Sequence, residues 1–289
     1  MNKMAVVTDS NSGITQKQAR VLGISVLPMP FNIGNETFLE DINLTQAEFY
    51  ERLAKGDNIS TSQPSVESII NLWSELLKTN DEIVHIPMSS GLSGSCNTAM
   101  MLAQDFDGKV EVVNNQRISV TQRQSALDAQ ELINAGKTAK EIKRILEKEK
   151  FASSIYITLD TLKYIKKGGR ITPAAAALGT LLKIKPVLQI QGGKLDAFAK
   201  ARTIKQAKAI MIEAMGKELR ERIGKSEKAE KAHLSIAHTL NRELAYELKG
   251  ELLVLYPNHD IYVDNLSLSV ACHIGAGSIA VACSKYIEY

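Results

Sequence analysis

Short apolar runs alternate with longer amphipathic stretches along this chain. Residues 4–7 form an apolar run ending in Thr8-Asp9-Ser10-Asn11-Ser12-Gly13, and a helix is expected from Thr15. Residues 24–28 and 109–113 read as further strands, and Ile83-Val84-His85-Ile86-Pro87 as a buried one. Val66, Ile69, Ile70, Trp73, Leu76 and Leu77 recur at helical spacing behind Ser65, an N-cap residue. Helices over 45–53 and from Thr138 each open with a threonine followed three residues later by Glu48 or Glu141, the capping-box pattern. A weak helical run begins near Asn97, and another helix covers 119–134. Strands alternating with helices predict a mostly parallel sheet for this half.

The character changes near Phe151. Residues 155–159 read as a strand, and Leu162, Tyr164 and Ile165 lead into Lys166-Lys167-Gly168-Gly169-Arg170. An alanine-rich helix is expected over 173–182. Residues 186–190 and 195–199 flank Gln191-Gly192-Gly193-Lys194, a β-hairpin signature. A long helix over 203–223 precedes a charged linker at 225–231. Strands over 233–237 and 260–263 enclose a helix over 243–255, and the chain closes through His273-Ile274-Gly275-Ala276-Gly277 into the apolar run 278–283. A hairpin among helices predicts mixed or antiparallel strands here. The fold class is therefore α/β with two domains, an N-terminal one over 1–153 with a mostly parallel sheet and a C-terminal one over 154–289 with a mixed or antiparallel sheet.

Composition narrows the function classes. The 289 residues suffice for two cores, and 44% hydrophobic with 23% charged residues is ordinary for a soluble protein. A net charge of +3 with few aromatics argues against nucleic-acid binding. Cys96, Cys272 and Cys283 are odd in number and lack paired Cys/His spacing, so neither a disulfide framework nor a zinc site is expected. The first residues lack the apolar core of a signal peptide, and no run reaches the length of a membrane span, which reads as cytoplasmic.

The densest candidate chemistry is Ser89-Ser90-Gly91-Leu92-Ser93-Gly94-Ser95, where hydroxyls and glycines follow a buried strand. Open α/β folds place ligands beyond the carboxyl ends of strands, and free N–H groups at a helix start favour an anion. Ser93 as a nucleophile is weakened because Gly-Leu-Ser-Gly-Ser lacks the second glycine of the hydrolase elbow. A loop of helix-capping serines is the plain alternative. Ser60, Thr61 and Ser62 are surplus to the capping that Ser65 supplies, which favours a second binding loop. Gly275-Ala276-Gly277-Ser278-Ile279-Ala280 matches a dinucleotide fingerprint, but the sequence stops at Tyr289, too soon for the βαβ unit that the fingerprint needs. His273 reads as structural or as facing a site. Cys96 and Cys272 read as small buried hydrophobes. Lys166, Lys167 and Arg170 read as a helix C-cap with favourable cations or as a docking surface for an acidic or phosphate-bearing partner, with Lys200 and Arg202 adding to the cations.

One ordered series draws these segments together. Thr8-Asp9-Ser10, Thr61-Ser62-Gln63-Pro64-Ser65, Ser90-Gly91-Leu92-Ser93-Gly94-Ser95, Leu162-x-Tyr164-x-x-x-Gly168-Gly169-Arg170-Ile171, Lys185-Pro186, Arg202-Thr203 and His273-Ile274-Gly275-Ala276-Gly277 span the chain. In this order they resemble the DegV family, and specifically its fatty-acid-binding subunits, called FakB, that serve a separate ATP-dependent fatty-acid kinase. The resemblance implies a long-chain fatty acid in an apolar tunnel between two domains. It also implies that the kinase converts the carboxylate to acyl phosphate for phospholipid synthesis. Thr61 and Ser93 would hold the carboxylate, with Ser62, the Gly94 backbone and His273 beside them, and Arg170 and Arg202 would face the kinase. The family's His-Thr-Gly-Pro-Gly segment here carries Ile274 for threonine and Ala276 for proline. No catalytic residue, metal or cofactor is implied, transient contact with a membrane surface is compatible, and no nucleotide-binding P-loop occurs in the chain. A Ser-dependent lipid or ester hydrolase, or a regulatory binder of another apolar carboxylate, are the alternatives.

Overall fold

Alternating hydrophobicity and cap residues translate directly into elements in the computed structural model, which describes residues 2–178, 184–226 and 228–289. The chain divides into two units, one of residues 1–150 with Ser267–Ser269 and Tyr289, the other of 151–266 with 270–288. The fold is α/β throughout.

The first unit runs β1 (Met4–Asp9), α1 (Gln16–Leu22), β2 (Ile24–Leu27), β3 (Pro30–Ile33), β4 (Glu36–Leu39), α2 (Gln46–Lys55), β5 (Ile59–Thr61), α3 (Val66–Leu76), β6 (Glu82–Ile86), α4 (Ser95–Leu102), β7 (Val110–Val112), α5 (Ser119–Asn134) and α6 (Ala139–Lys148). Strands β2-β1-β6-β7 form a parallel sheet, with Val6 opposite both Ile24 and Val84. The chain leaves β1 on one side and returns to β6 on the other, so a topological switch point lies between their carboxyl ends. Val7, Ile83, Val110 and Val112 pack against Ile69 and Trp73 of α3 and Cys96 and Ala99 of α4. His85 is buried edge-on to the Trp73 ring, and desolvation lowers its imidazole to about 3, so it is a neutral core residue. The capping boxes of Thr45/Glu48 and Thr138/Glu141 form as the sequence predicts, and Ser65 caps α3.

The small antiparallel sheet β4-β3-β5 was not expected. The sequence reads Ser60, Thr61 and Ser62 as part of a loop, yet Ile59–Thr61 pairs with Phe31–Ile33, and Phe31 packs on Phe49 of α2. Three- and four-residue strands are too short to show an alternation of their own.

The second unit runs β8 (Ser153–Thr158), α7 (Lys163–Gly168), α8 (Pro173–Ala177), β9 (Lys185–Ile190), β10 (Asp196–Ala201), α9 (Ile204–Glu221), β11 (Ala232–His238), α10 (Arg242–Leu255), β12 (Tyr262–Asn265), α11 (Leu268–Ile274) and β13 (Ile279–Lys285). Its sheet has the order β10-β9-β8-β13-β11-β12 and is antiparallel except for the β11/β12 pair. The expected hairpin is β9–β10. Met211, Met215 and Leu219 of α9 and Leu248 and Leu252 of α10 share one core with Val187, Ile236 and Val281. Lys208 of α9 is buried there and reaches Glu247 and Glu251 of α10 at 2.5 and 2.6 Å. The alanine-rich helix is present over Pro173–Ala177, and residues 179–182 of that expectation lie outside the described residues. Helix α11 corrects the expectation that the chain closes through His273-Ile274 directly into the glycine turn, since Leu268–Ile274 is helical. Among the described residues no helix is long and apolar enough to cross a membrane.

Candidate functional site

Two hydroxyl-rich segments of the first unit meet beyond the ends of its strands. The first is fixed by β5, whose last residue, Thr61, pairs with Phe31 and is half-buried. Ser62 is exposed, and its N–H donates to the Pro30 carbonyl at 3.1 Å. Ser65 is occupied as the α3 cap, accepting the Ser68 N–H at 3.0 Å. The second segment follows β6 and is built around the fully buried Ser89. The Ser89 N–H donates to the Arg117 carbonyl at 2.8 Å, and its own carbonyl accepts the N–H groups of Leu92 and Ser93 at 3.0 and 3.1 Å. That turn presents Ser93, half-buried, at the entrance to α4. Its Oγ accepts the Ser95 N–H at 3.2 Å, and α4 begins at Ser95, two residues earlier than the sequence suggests.

Gln63 joins the two segments. Its Oε1 accepts the Thr98 hydroxyl at 3.3 Å and stands 3.3 Å from where a Cβ on Gly94 would lie. A residue larger than glycine would therefore press on the first segment. The structure thus brings the segment containing Thr61 and Ser62 against the one containing Ser93 and Gly94. The α4 amino terminus adds the positive end of its dipole. Small hydroxyl and amide donors in this arrangement suit a carboxylate or phosphate oxygen better than a cation.

Asp9, at the end of β1, supports the second segment. Its carboxylate accepts the Met88 N–H at 2.7 Å, the Asn11 N–H at 3.0 Å and Gln122 Nε2 at 3.1 Å. Burial shifts Asp9 upward against the lowering effect of those bonds. The sequence marked Thr8-Asp9-Ser10 only as a motif, and a lone aspartate after an apolar run gave it no further role.

The predicted residues of the second unit form an interlock of their own. His273 lies in the last turn of α11, and its Nδ1 occupies the space that a Cβ on Gly168 would need. Only glycine fits there. Likewise the Tyr164 ring lies 2.7 Å from the Cβ position of Gly275, whose φ is +76°. The segment 164–170 is therefore built around the segment 273–275, which explains why both are glycine-rich. Burial first, and then the Arg170 charge, lower His273 to about 4, so its imidazole is neutral at pH 7 and donates from one nitrogen while accepting at the other. Cys272 is buried next to it in sequence, and burial raises its thiol to about 11, so it is no nucleophile at neutral pH. Burial likewise raises Cys96 to about 12.

The two arginines occupy different places. Gly169 caps α7 as expected, and Arg170 Nη1 donates to the Gly168 carbonyl. The Arg170 carbonyl accepts the Leu195 N–H at 3.0 Å at the start of β10. Arg202 is exposed just past the far end of that strand, with its N–H on Gln206 Oε1 at 2.8 Å. Six strand residues at about 3.3 Å each put roughly 20 Å between these backbone positions.

The sequence model of the DegV family, described as one of uncharacterised proteins, matches residues 3–285. A DegV domain-containing protein of Halalkalibacterium halodurans is 30% identical over 292 residues, covering 100% of both chains. Among solved structures, a DegV family protein from Thermus thermophilus described for its fatty-acid binding is 28% identical with a TM-score of 0.89, covering 98% of this chain and 99% of that one. DegV of Bacillus subtilis, described as a fatty acid binding protein, is also 28% identical, with a TM-score of 0.86 over 99% of this chain and 100% of that one.

Proposed function

The chain belongs to the DegV family, and from that premise we propose that it binds a long-chain fatty acid and presents the carboxylate to a partner kinase. The observation that carries this reading is the contact of the two hydroxyl-bearing segments through Gln63 and Gly94, which gathers hydroxyl and amide donors. Thr61, Ser62, Ser93 and the Gly94 backbone hold the carboxylate. His273, neutral at pH 7, is assigned to the same headgroup by the family resemblance and donates a hydrogen bond without adding charge. The fatty-acid-binding relatives from Thermus thermophilus and Bacillus subtilis support the ligand class.

The energetics are consistent. Burying a chain of about 16 carbons at about 0.8 kcal/mol per CH₂ yields roughly 10 kcal/mol before the costs of binding. A buried carboxylate needs hydrogen-bond partners, and hydroxyls provide them while leaving the oxygens nucleophilic toward a phosphoryl group. In the FakB-like reading, a carboxylate oxygen attacks the γ-phosphorus of ATP held by the kinase. ADP leaves, and this chain releases acyl phosphate to phospholipid synthesis. Arg170 and Arg202 serve docking of that kinase, in the cytoplasm where ATP is available.

Solvent extraction of the purified protein followed by mass spectrometry tests the ligand. Stoichiometric free fatty acid supports the proposal, whereas protein that is empty and takes up no added fatty acid overturns it. Covalent labelling of Ser93 by a fluorophosphonate would favour a hydrolase. Arg170→Ala is expected to keep lipid binding and to lose kinase-dependent phosphorylation. Loss of binding equal to that of Ser93→Ala would refute the division of roles.

A further inference from the structure

Beyond β1, in the first unit, a buried polar cluster grips a segment more than 220 positions further along the chain. Ser10 Oγ donates to Glu40 Oε2 at 2.8 Å and accepts the Met29 N–H at 3.0 Å. Glu40 Oε1 accepts the Leu268 N–H, and Asn11 Oδ1 accepts the hydroxyls of Ser269 and, at 3.5 Å, Ser267. All six residues that make these contacts across the chain are buried, as is Met29. Residues 267–269 accordingly group with the first unit although their flanks group with the second. The bonds belong to no helix or strand ladder, so the cluster is a side-chain hold on the entry to α11.

A carboxyl group keeps these contacts in either protonation state. Oε1 accepts the Leu268 N–H in both, and the contact with the rotatable Ser10 hydroxyl reverses its donor when Glu40 carries the proton. Only the charge changes. We propose that Glu40 and Asn11 are positioning residues, forming a proton-linked latch that holds residues 267–269 and the first turn of α11 and loosens when Glu40 ionises.

The groups around Glu40 favour its neutral form near neutrality. Burial raises it to about 7 against the lowering effect of its bonds to Leu268, Ser10 and Ser269, and Asp41 adds a like charge. The Tyr50 phenol of α2 is raised by its own burial and then by Glu40, and Asp9, on the other side of Ser10, is raised by burial. Because the folded value lies above the ordinary 4.5, the latch is strongest below pH 4.5 and weakens as the pH rises through about 7. With 4.5 for the open state and about 7 for the closed one, the opening constant grows about tenfold between pH 6 and pH 8.

Helix α11 has seven residues, so a hold on its first bears on its last turn, where His273 sits. Any consequence for the lipid headgroup rests on the function proposed above. The test therefore reads amides instead of lipid. Hydrogen exchange of the full chain is followed at pH 6, 7 and 8, with each rate divided by its intrinsic value. At the amides of residues 267–270, ahead of His273, protection is expected to fall about tenfold in the wild type from pH 6 to pH 8 and to stay level in Glu40→Gln, whose amide keeps both contacts. Asn11→Ala is expected to lower protection at every pH. Wild-type protection that does not change with pH, or an equal fall in Glu40→Gln, overturns the latch. A chain that binds no fatty acid would sink the proposed function and leave this result untouched.

Discussion

The hydroxyl-bearing segments of the first unit and the glycine–histidine interlock of the second are both polar, but they are held by different physics. Thr61, Ser62 and Ser93 are half-buried or exposed and are set by backbone turns and caps. His273 and Tyr164 are set by close packing over Gly168 and Gly275. The first arrangement tolerates loss of a side chain but, in the function proposed, depends on its hydroxyls for binding. The second tolerates loss of a hydrogen bond but not an added methyl. Substitutions should therefore separate the two regions by what they damage, ligand affinity or folding.

The largest effect is expected at Gly275. An alanine there meets the Tyr164 ring at 2.7 Å and must adopt a φ of +76°. Overpacking costs about 1–3 kcal/mol and the left-handed backbone about 1–2 more. Gly275→Ala should lower stability by about 2–5 kcal/mol in urea titration. Adding Tyr164→Leu should return the packing share and leave the backbone share. A stable Gly275→Ala protein would show that packing does not govern this region.

Protonation of His273 comes next. Its folded value of about 4 lies below the ordinary 6.5, so it contributes stability above pH 6.5 that is lost as the pH falls toward 4. The loss amounts to about 3 kcal/mol at most. Glu40 has the opposite sign over an overlapping range, because its folded value is raised. Bulk acid unfolding therefore mixes the two, and the stability difference between wild type and His273→Gln across pH 4–7 isolates the imidazole. A difference that does not vary with pH would mean that the ring is not desolvated by its neighbours.

How far these regions could be read from the sequence follows the same contrast. Thr45/Glu48, Thr138/Glu141 and the Gly169 cap are local signals, and each appears where the spacing puts it. The β9–β10 hairpin was equally legible from its glycines. By contrast, α11 is seven residues long, and the groups that hold its entry, Glu40 and Asn11, lie far back in the chain. The Gln63–Gly94 contact depends on β5 pairing with β3, neither of which has enough length to show a pattern. The clash between His273 and any side chain at Gly168 is likewise a long-range fact, although the glycine-rich run hinted at close backbone approach. Hydroxyls in excess of capping needs were the legible part of the candidate site; their juxtaposition was not.

In the first unit, Ser93→Ala should shift binding more than folding. The lost bond to the Ser95 N–H costs about 0.5–1 kcal/mol of stability. A hydrogen bond to a charged group contributes about 1.5–3 kcal/mol, which is a ten- to hundredfold loss of affinity in a fluorescent fatty-acid titration. Unchanged affinity would remove Ser93 from the headgroup site.

The smallest effect, and the sharpest probe of whether the two segments act together, is at Gly94. Its φ of −71° and ψ of −11° suit any residue, so Gly94→Ala carries no backbone strain. The added methyl stands 3.3 Å from Gln63 Oε1, the end of an exposed and flexible side chain that can move by a few tenths of an ångström. Stability should change by less than about 0.5 kcal/mol. That movement weakens the Gln63–Thr98 contact that joins the two segments, so fatty-acid affinity should fall a few-fold. In a double-mutant cycle, Gln63→Ala should remove most of the Gly94→Ala penalty, because the group that the methyl displaces is gone. Strict additivity of the two would mean that each segment binds without the other, and the headgroup reading would then rest on Ser93 and its turn alone.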